Sequence, residues 1–138
     1  MASARNSHRP PRARREEPRF SVRLPVTLLS VRTRDVLPTW DVSFRGLYLE
    51  TRTPLEVRQL VRFSVVMPTT GREIVLHGMV VNVVGPNDPE GRPQGMGVQL
   101  YALDGDVRGS WWGLVRFVRD HLHELEQQSG VRARAALG

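Results

Sequence analysis

The sequence contains no cysteine and no lysine, and aromatic residues make up only 7% of it. Without cysteine there are no disulfides, thiolate metal sites or cysteine nucleophiles. That suits a reducing compartment, and the cytoplasm is the location expected. Without lysine, all 20 basic side chains are arginine, whose planar guanidinium makes bidentate and stacking contacts that an ammonium group cannot. No apolar run approaches the roughly 18–20 residues needed to cross a bilayer. No apolar segment follows the N-terminal charges either, so neither membrane insertion nor a secretory signal is expected. The sequence offers no phosphate-binding glycine loop, no nucleophile–base pair and no pair of catalytic carboxylates. It therefore does not read as an enzyme. His77, His121 and His123 have no carboxylate–histidine metal spacing, so they read as core or surface residues, and no metal or cofactor is expected.

What is present fits one domain with one core: 138 residues, 40% hydrophobic and 25% charged. The net charge of +6 is unevenly placed. Residues 1–23 carry seven arginines and two glutamates, so five of the six net charges lie there. Residues 1–14 include Pro10 and Pro11 and show no apolar periodicity. They read as a disordered, flexible basic arm. The folded domain is expected over 15–128, with a flexible tail over 129–138.

From Phe20 the pattern alternates. Phe20, Val22, Leu24, Val26 and Leu28 point one way, which predicts a half-buried strand with an edge or bulge at Pro25. Further strands are expected at about 38–43, 46–52, 59–67, 73–84 and 95–100. The fourth and fifth are joined by a turn at Thr69-Thr70-Gly71. The fifth strand is apolar on both sides, so the C-terminal helix is expected to cover one of its faces. That helix is read from Val107, Trp111, Leu114, Val115, Val118, Leu122 and Leu125, which recur at three- and four-residue spacing. Asp104 or Asp106 would cap its start and Gly130 would end it, while Gly109 and Gly113 would allow close approach to the sheet. Trp111 and Trp112 are adjacent, so one packs on the barrel and the other is left partly exposed or facing a partner. The fold class is mainly β: a six-stranded antiparallel barrel plugged by a C-terminal helix.

Two patterns could carry chemistry. Arg15-x-x-x-Arg19 closes the arm, with Arg19 immediately before the first strand. In so arginine-rich a tail this spacing also reads as a plain solvated cationic arm. Asp41-x-Ser43-x-x-Gly46 appears where the second strand should turn into the third. If Trp40 and Val42 face the core, Asp41 and Ser43 face outward together. Gly46 would then permit an unusual dihedral or leave room for a flat ligand. The same hexapeptide also reads as an ordinary capped turn. Taken together, the two patterns match guanine and phosphate: arginine pairs with the O6/N7 edge, a carboxylate accepts from N1–H and N2–H₂, and arginine or a hydroxyl donates to phosphate.

The order Arg15-x-x-x-Arg19, Phe20-Ser-Val-Arg-Leu-Pro-Val26, Asp41-x-Ser43-x-x-Gly46 and Gly95-Met-Gly97-Val-Gln-Leu100 resembles the PilZ domain. The resemblance implies a six-stranded barrel with a C-terminal helix that binds cyclic di-GMP. By that similarity Arg15 and Arg19 clamp guanines and phosphates, and Asp41 takes the guanine Watson–Crick edge. Ser43 meets a phosphate or guanine, Gly46 leaves room, and Arg14 is an auxiliary contact. Some members stack an aromatic residue of the fifth strand on guanine, where this chain has Asn82. The resemblance also implies an unidentified protein partner and a role in motility, surface attachment or polysaccharide output. Two other readings remain at this point: an interaction module that acts without nucleotide, and a barrel binding single-stranded nucleic acid. The second is disfavoured because the charge lies in a tail and the strands carry few aromatics.

Overall fold

The computed structural model describes residues 17–29 and 34–125. Arg14, Arg15, the arm over 1–14, the tail over 129–138 and the expected stop at Gly130 lie outside the described residues.

Seven strands precede one helix: β1 (Phe20–Ser21), β2 (Pro25–Leu29), β3 (Arg34–Val42), β4 (Gly46–Glu50), β5 (Leu60–Val66), β6 (Glu73–Val84), β7 (Gly95–Tyr101) and α1 (Gly105–Leu125). β1 and β2 are the two halves of the expected first strand. Both pair antiparallel with β3, Phe20 opposite Val42 and Pro25 opposite Pro38. Between them the chain leaves the ladder, and the buried Thr39 takes over its backbone groups. The Leu24 N–H donates to Thr39 Oγ1 at 2.9 Å and the Thr39 hydroxyl donates to the Val22 carbonyl. Counting β1–β2 as one interrupted strand, the pairings β3–β2–β5–β6–β7–β4–β3 close a six-stranded antiparallel barrel. Closure leaves no sheet edge in the ring.

Alternation decides what faces inward. Val26, Val61, Phe63, Val65, Ile74, Leu76, Val80, Met96, Val98 and Leu100 join one core cluster, with Phe20, Val22, Leu24 and Leu28 packed against it. Gly71 turns the β5–β6 hairpin at a φ of 75° and donates its N–H to the Met67 carbonyl at 2.8 Å. Only glycine adopts that dihedral without strain.

Three expectations are corrected. β3 begins at Arg34 rather than near residue 38, because the whole of β2 pairs with it. The helix does not cover the outer face of β6, where Val75 and Val81 remain 41% and 42% exposed. Instead Trp111, Leu114, Val115 and Val118 enter the same core as the inward strand residues, so the helix stops the barrel rather than forming a layer on it. Gly109 and Gly113 make no close approach either: a Cβ added at either meets nothing within 4 Å. With Ser110, Leu114, Phe117 and the β5–β6 turn they line an open groove of about 230 Å³. Among the described residues no helix is long and apolar enough to cross a membrane.

Candidate functional site

Asp41 lies near the end of β3, opposite Ser21 on one side and Tyr48 on the other. Its side chain is 18% exposed and meets Arg19, the residue just before β1. Arg19 Nε and Nη2 donate to the same carboxylate oxygen, Asp41 Oδ1, at 3.0 and 2.9 Å. The sequence separation of 22 residues therefore closes into a direct ion pair. Arg19 is 44% exposed. Such a pair is worth about 0–1 kcal/mol, so an incoming ligand can open it at little expense.

Ser43 does not face outward with Asp41, and of the two readings of the hexapeptide it follows the capped turn. It is fully buried, and its hydroxyl points into the β3–β4 turn, where the Gly46 N–H donates to Ser43 Oγ at 3.1 Å. The Ser43 N–H donates to the Gly46 carbonyl at 2.8 Å. The physical reason is twofold. Ser43 lies one residue past the end of β3, where strand alternation no longer holds. The ladder is also irregular between Thr39 and Asp41, so Thr39 and Val42 both turn inward and Trp40 is left half-buried. Asp41 and Ser43 thus do not share an outward face. Gly46 has an explanation that the sequence did not suggest. It is not in the left-handed region, but a Cβ on it would stand 2.4 Å from the Val98 carbonyl oxygen of β7. Close backbone approach requires the glycine.

The turn is held from the helix side as well. The buried Trp111 donates Nε1–H to the Ser43 carbonyl at 3.1 Å. Phe44 meets Trp112 edge-on, with ring centroids 6.0 Å apart. Trp111 is 1% exposed and Trp112 37%, which is the division expected of the pair.

Strand pairing extends the site across the barrel surface. Ser21, Asp41, Tyr48, Gly97 and Asn82 stand opposite one another on β1, β3, β4, β7 and β6. The Asn82 carboxamide leans into the space a side chain at Gly97 would fill: its Oδ1 is 2.1 Å from the ideal Cβ position. The floor beside Asp41 is therefore low and polar, where an aromatic ring would have made it tall and apolar. Tyr48 is 4% exposed and donates its hydroxyl to the Pro93 carbonyl. Burial raises its pKa above the ordinary phenol value, partly opposed by the Arg92 charge. A second pair flanks the first: Arg23 Nη1 contacts Glu50 Oε2 at 2.7 Å. Burial pushes the Glu50 carboxyl up, and the attraction and hydrogen bond of Arg23 oppose that rise. The sequence reading missed Tyr48, Arg23 and Glu50. A signal for two of them existed, because Gly46, Tyr48 and Glu50 alternate with the core residues Leu47 and Leu49.

Chemically, the arrangement presents the Arg19 guanidinium just before β1 and the Asp41 carboxylate on β3. Phosphate oxygens can replace Asp41 on Arg19, and purine N–H donors can replace Arg19 on Asp41. Among the described residues no group of three or more histidines and carboxylates could hold a metal ion.

Fold and site together define a small closed β-barrel module with a polar surface beside Asp41. A family model for the PilZ domain matches residues 13–116. The chain belongs to that family, whose members are non-catalytic cyclic di-GMP receptor domains. Solved structures share the fold. The inhibitor of motility MotI/DgrA of Bacillus subtilis superposes with a TM-score of 0.63 at 17% identity, covering 80% of this chain and 52% of that one. The chain thus spans about half the length of that protein. The PilZ domain of YcgR from Escherichia coli, solved with cyclic di-GMP, gives 0.58 at 17% identity over 85% and 98% of the two chains. The PilZ domain of CeSA from a cellulose-synthesizing bacterium gives 0.54 at 18% over 74% and 98%. No curated protein sequence matches.

Proposed function

We propose that this chain binds cyclic di-GMP at the Arg19–Asp41 edge of the barrel and signals the bound state to a protein partner. Family membership supports the ligand class. The single observation that carries the reading is the Arg19–Asp41 pair at 2.9 Å, which couples the first arginine pattern to the second. Arg19 and Arg15 take guanine edges and phosphates, with Arg14 as an auxiliary cation. Asp41 accepts from the guanine Watson–Crick edge. Gly46 keeps the turn against β7, and Ser43 holds the turn that presents Asp41, its hydroxyl turning to a phosphate or guanine only if the Gly46 bond is released. Bidentate arginine contacts worth about 1–3 kcal/mol each supply the discrimination for guanine. Motility, surface attachment and polysaccharide output are the processes in which to look for the partner.

The experiment is calorimetric titration with cyclic di-GMP. Wild-type protein should bind, and Arg19→Ala should lose about tenfold or more in affinity. Undiminished binding by that variant would remove the clamp from the mechanism.

Two observations favour a second reading, an interaction module acting without nucleotide. Ser43 is already satisfied inside its turn, and Asn82 stands where stacking would need a ring. Under that reading, Asp41→Ala combined with Arg15→Ala would leave the cellular phenotype of the intact gene unchanged.

A further inference from the structure

One turn before and one turn after Trp112, α1 carries Arg108 and Arg116, so the three side chains form a single stripe along the helix. All three are exposed. The Arg108 guanidinium carbon stands 5.5 Å from the Trp112 ring centroid, over its face, while Phe44 supports the ring edge-on from the β3–β4 turn. The ring is thus fixed in orientation and left 37% open to solvent.

The charges around it are not held in direct ion pairs, although the Arg116 charge also acts on Asp120. Neither Arg108 nor Arg116 has an ion pair among the described residues, and neither does Arg45, which follows Phe44 in the turn. Asp120, one turn past Arg116, is at 2.9 Å from Arg119. Asp104, one turn before Arg108, gives its backbone carbonyl to the Arg108 N–H at 3.2 Å. The barrel core is complete without Trp112: its neighbour Trp111 fills the inward position.

We infer that the Arg108–Trp112–Arg116 face of α1 is a docking surface for an acidic segment of a protein partner. An apolar side chain of that segment packs on the Trp112 ring, and its carboxylates take the two flanking guanidiniums. Tryptophan and arginine are the residues that most often dominate protein interfaces, because a held ring and a planar fork lose little freedom on binding. Charge complementarity selects an acidic partner, and the aromatic anchor between the cations selects one with an apolar residue among its acids. The surface stands on the helix alone and does not depend on the nucleotide reading. Its connection to the candidate site runs through Phe44 and the Trp111–Ser43 bond.

The test is fluorescence polarisation, without nucleotide, using a labelled synthetic peptide that alternates glutamate pairs with leucine and phenylalanine. Wild-type protein should bind it, and Trp112→Ala and Arg116→Glu should each weaken binding by about tenfold or more. Arg62→Glu makes the same charge change on the exposed face of β5 and should stay within about twofold. Both helix positions are exposed, and matching circular dichroism melts would show the variants folded. An equal loss in Arg62→Glu would mean bulk charge alone, and an absence of peptide binding would remove the surface. Tighter retention of single-stranded DNA or phosphatidylglycerol vesicles through Trp112 and Arg116 would also overturn the inference, by assigning the face to another class of partner.

Discussion

Two glycine-to-alanine substitutions in this protein should move stability in opposite directions. At Gly46 a Cβ would lie 2.4 Å from the Val98 carbonyl oxygen and 3.5 Å from its carbonyl carbon. Both atoms belong to β7 backbone paired with β4 through Gly46–Gln99 and Leu47–Val98. Ordinary contact needs about an ångström more, and a paired backbone cannot swing aside as a flexible side chain would. Overpacking of this kind destabilises by about 1–3 kcal/mol. The forced shift would also stretch the Gly46 N–H bond to Ser43 Oγ, which adds to the loss. At Gly113, on α1, the same methyl meets nothing within 4 Å. Alanine is better than glycine in a helix interior by about 0.8–1.0 kcal/mol, so Gly113→Ala should stabilise by up to that amount. Urea unfolding followed by circular dichroism reads both. With a slope of about 1–3 kcal/mol per molar, the Gly46→Ala midpoint falls by on the order of 1 M, and the Gly113→Ala midpoint rises by a few tenths. A neutral Gly46→Ala would mean that β4 and β7 are not so closely apposed. A destabilising Gly113→Ala would mean that the groove beside the helix is not open.

Other consequences follow from the same geometry. Trp111→Phe removes the donor to the buried Ser43 carbonyl and should lower stability by about 1–3 kcal/mol in the same urea assay. Arg19→Ala should change stability by no more than about 1 kcal/mol while weakening cyclic di-GMP binding, because its pair with Asp41 is exposed. If stability and binding fell together, the pair would be a structural clasp. Glu50 gives a pH signature. Its carboxyl is raised above the ordinary 4.5 in the folded state, chiefly by burial, so the folded protein binds its proton more readily than the unfolded chain. The stability of wild type relative to Glu50→Gln should therefore rise as pH falls through the window just above 4.5. Chemical denaturation of both proteins across that range measures it, and a difference that falls with acid would show that Arg23 outweighs burial.

Local pattern carried much of the outcome. Period-two alternation and a 3.6-residue stripe depend only on which side chains a strand or helix can hide from water, so they are readable residue by residue. Glu73–Val84 forms the fifth expected strand to the residue, and Trp111, Leu114, Val115 and Val118 face the core as their spacing requires. The two patterns containing Arg19 and Asp41 were likewise legible as chemically complementary, and their direct ion pair came from the fold. What alternation could not foresee are the places where two strands fall out of step. The irregularities at Thr39/Asp41 and Val80/Asn82 are set by the partner strands. Each reverses the side on which later residues emerge.

Those reversals decided the site. The sequence by itself determined a mainly β domain, a terminal helix and the chemistry of the candidate site residues, because composition and periodicity are properties of the chain alone. Only the tertiary structure decided that Ser43 turns inward while Asp41 stays beside Arg19. It also decided that Gly46 serves a neighbouring strand and that Gly109 and Gly113 line an open groove instead of meeting the sheet. Each of these depends on what another, distant segment occupies, and barrel closure brings those segments into contact only after every strand has found its register.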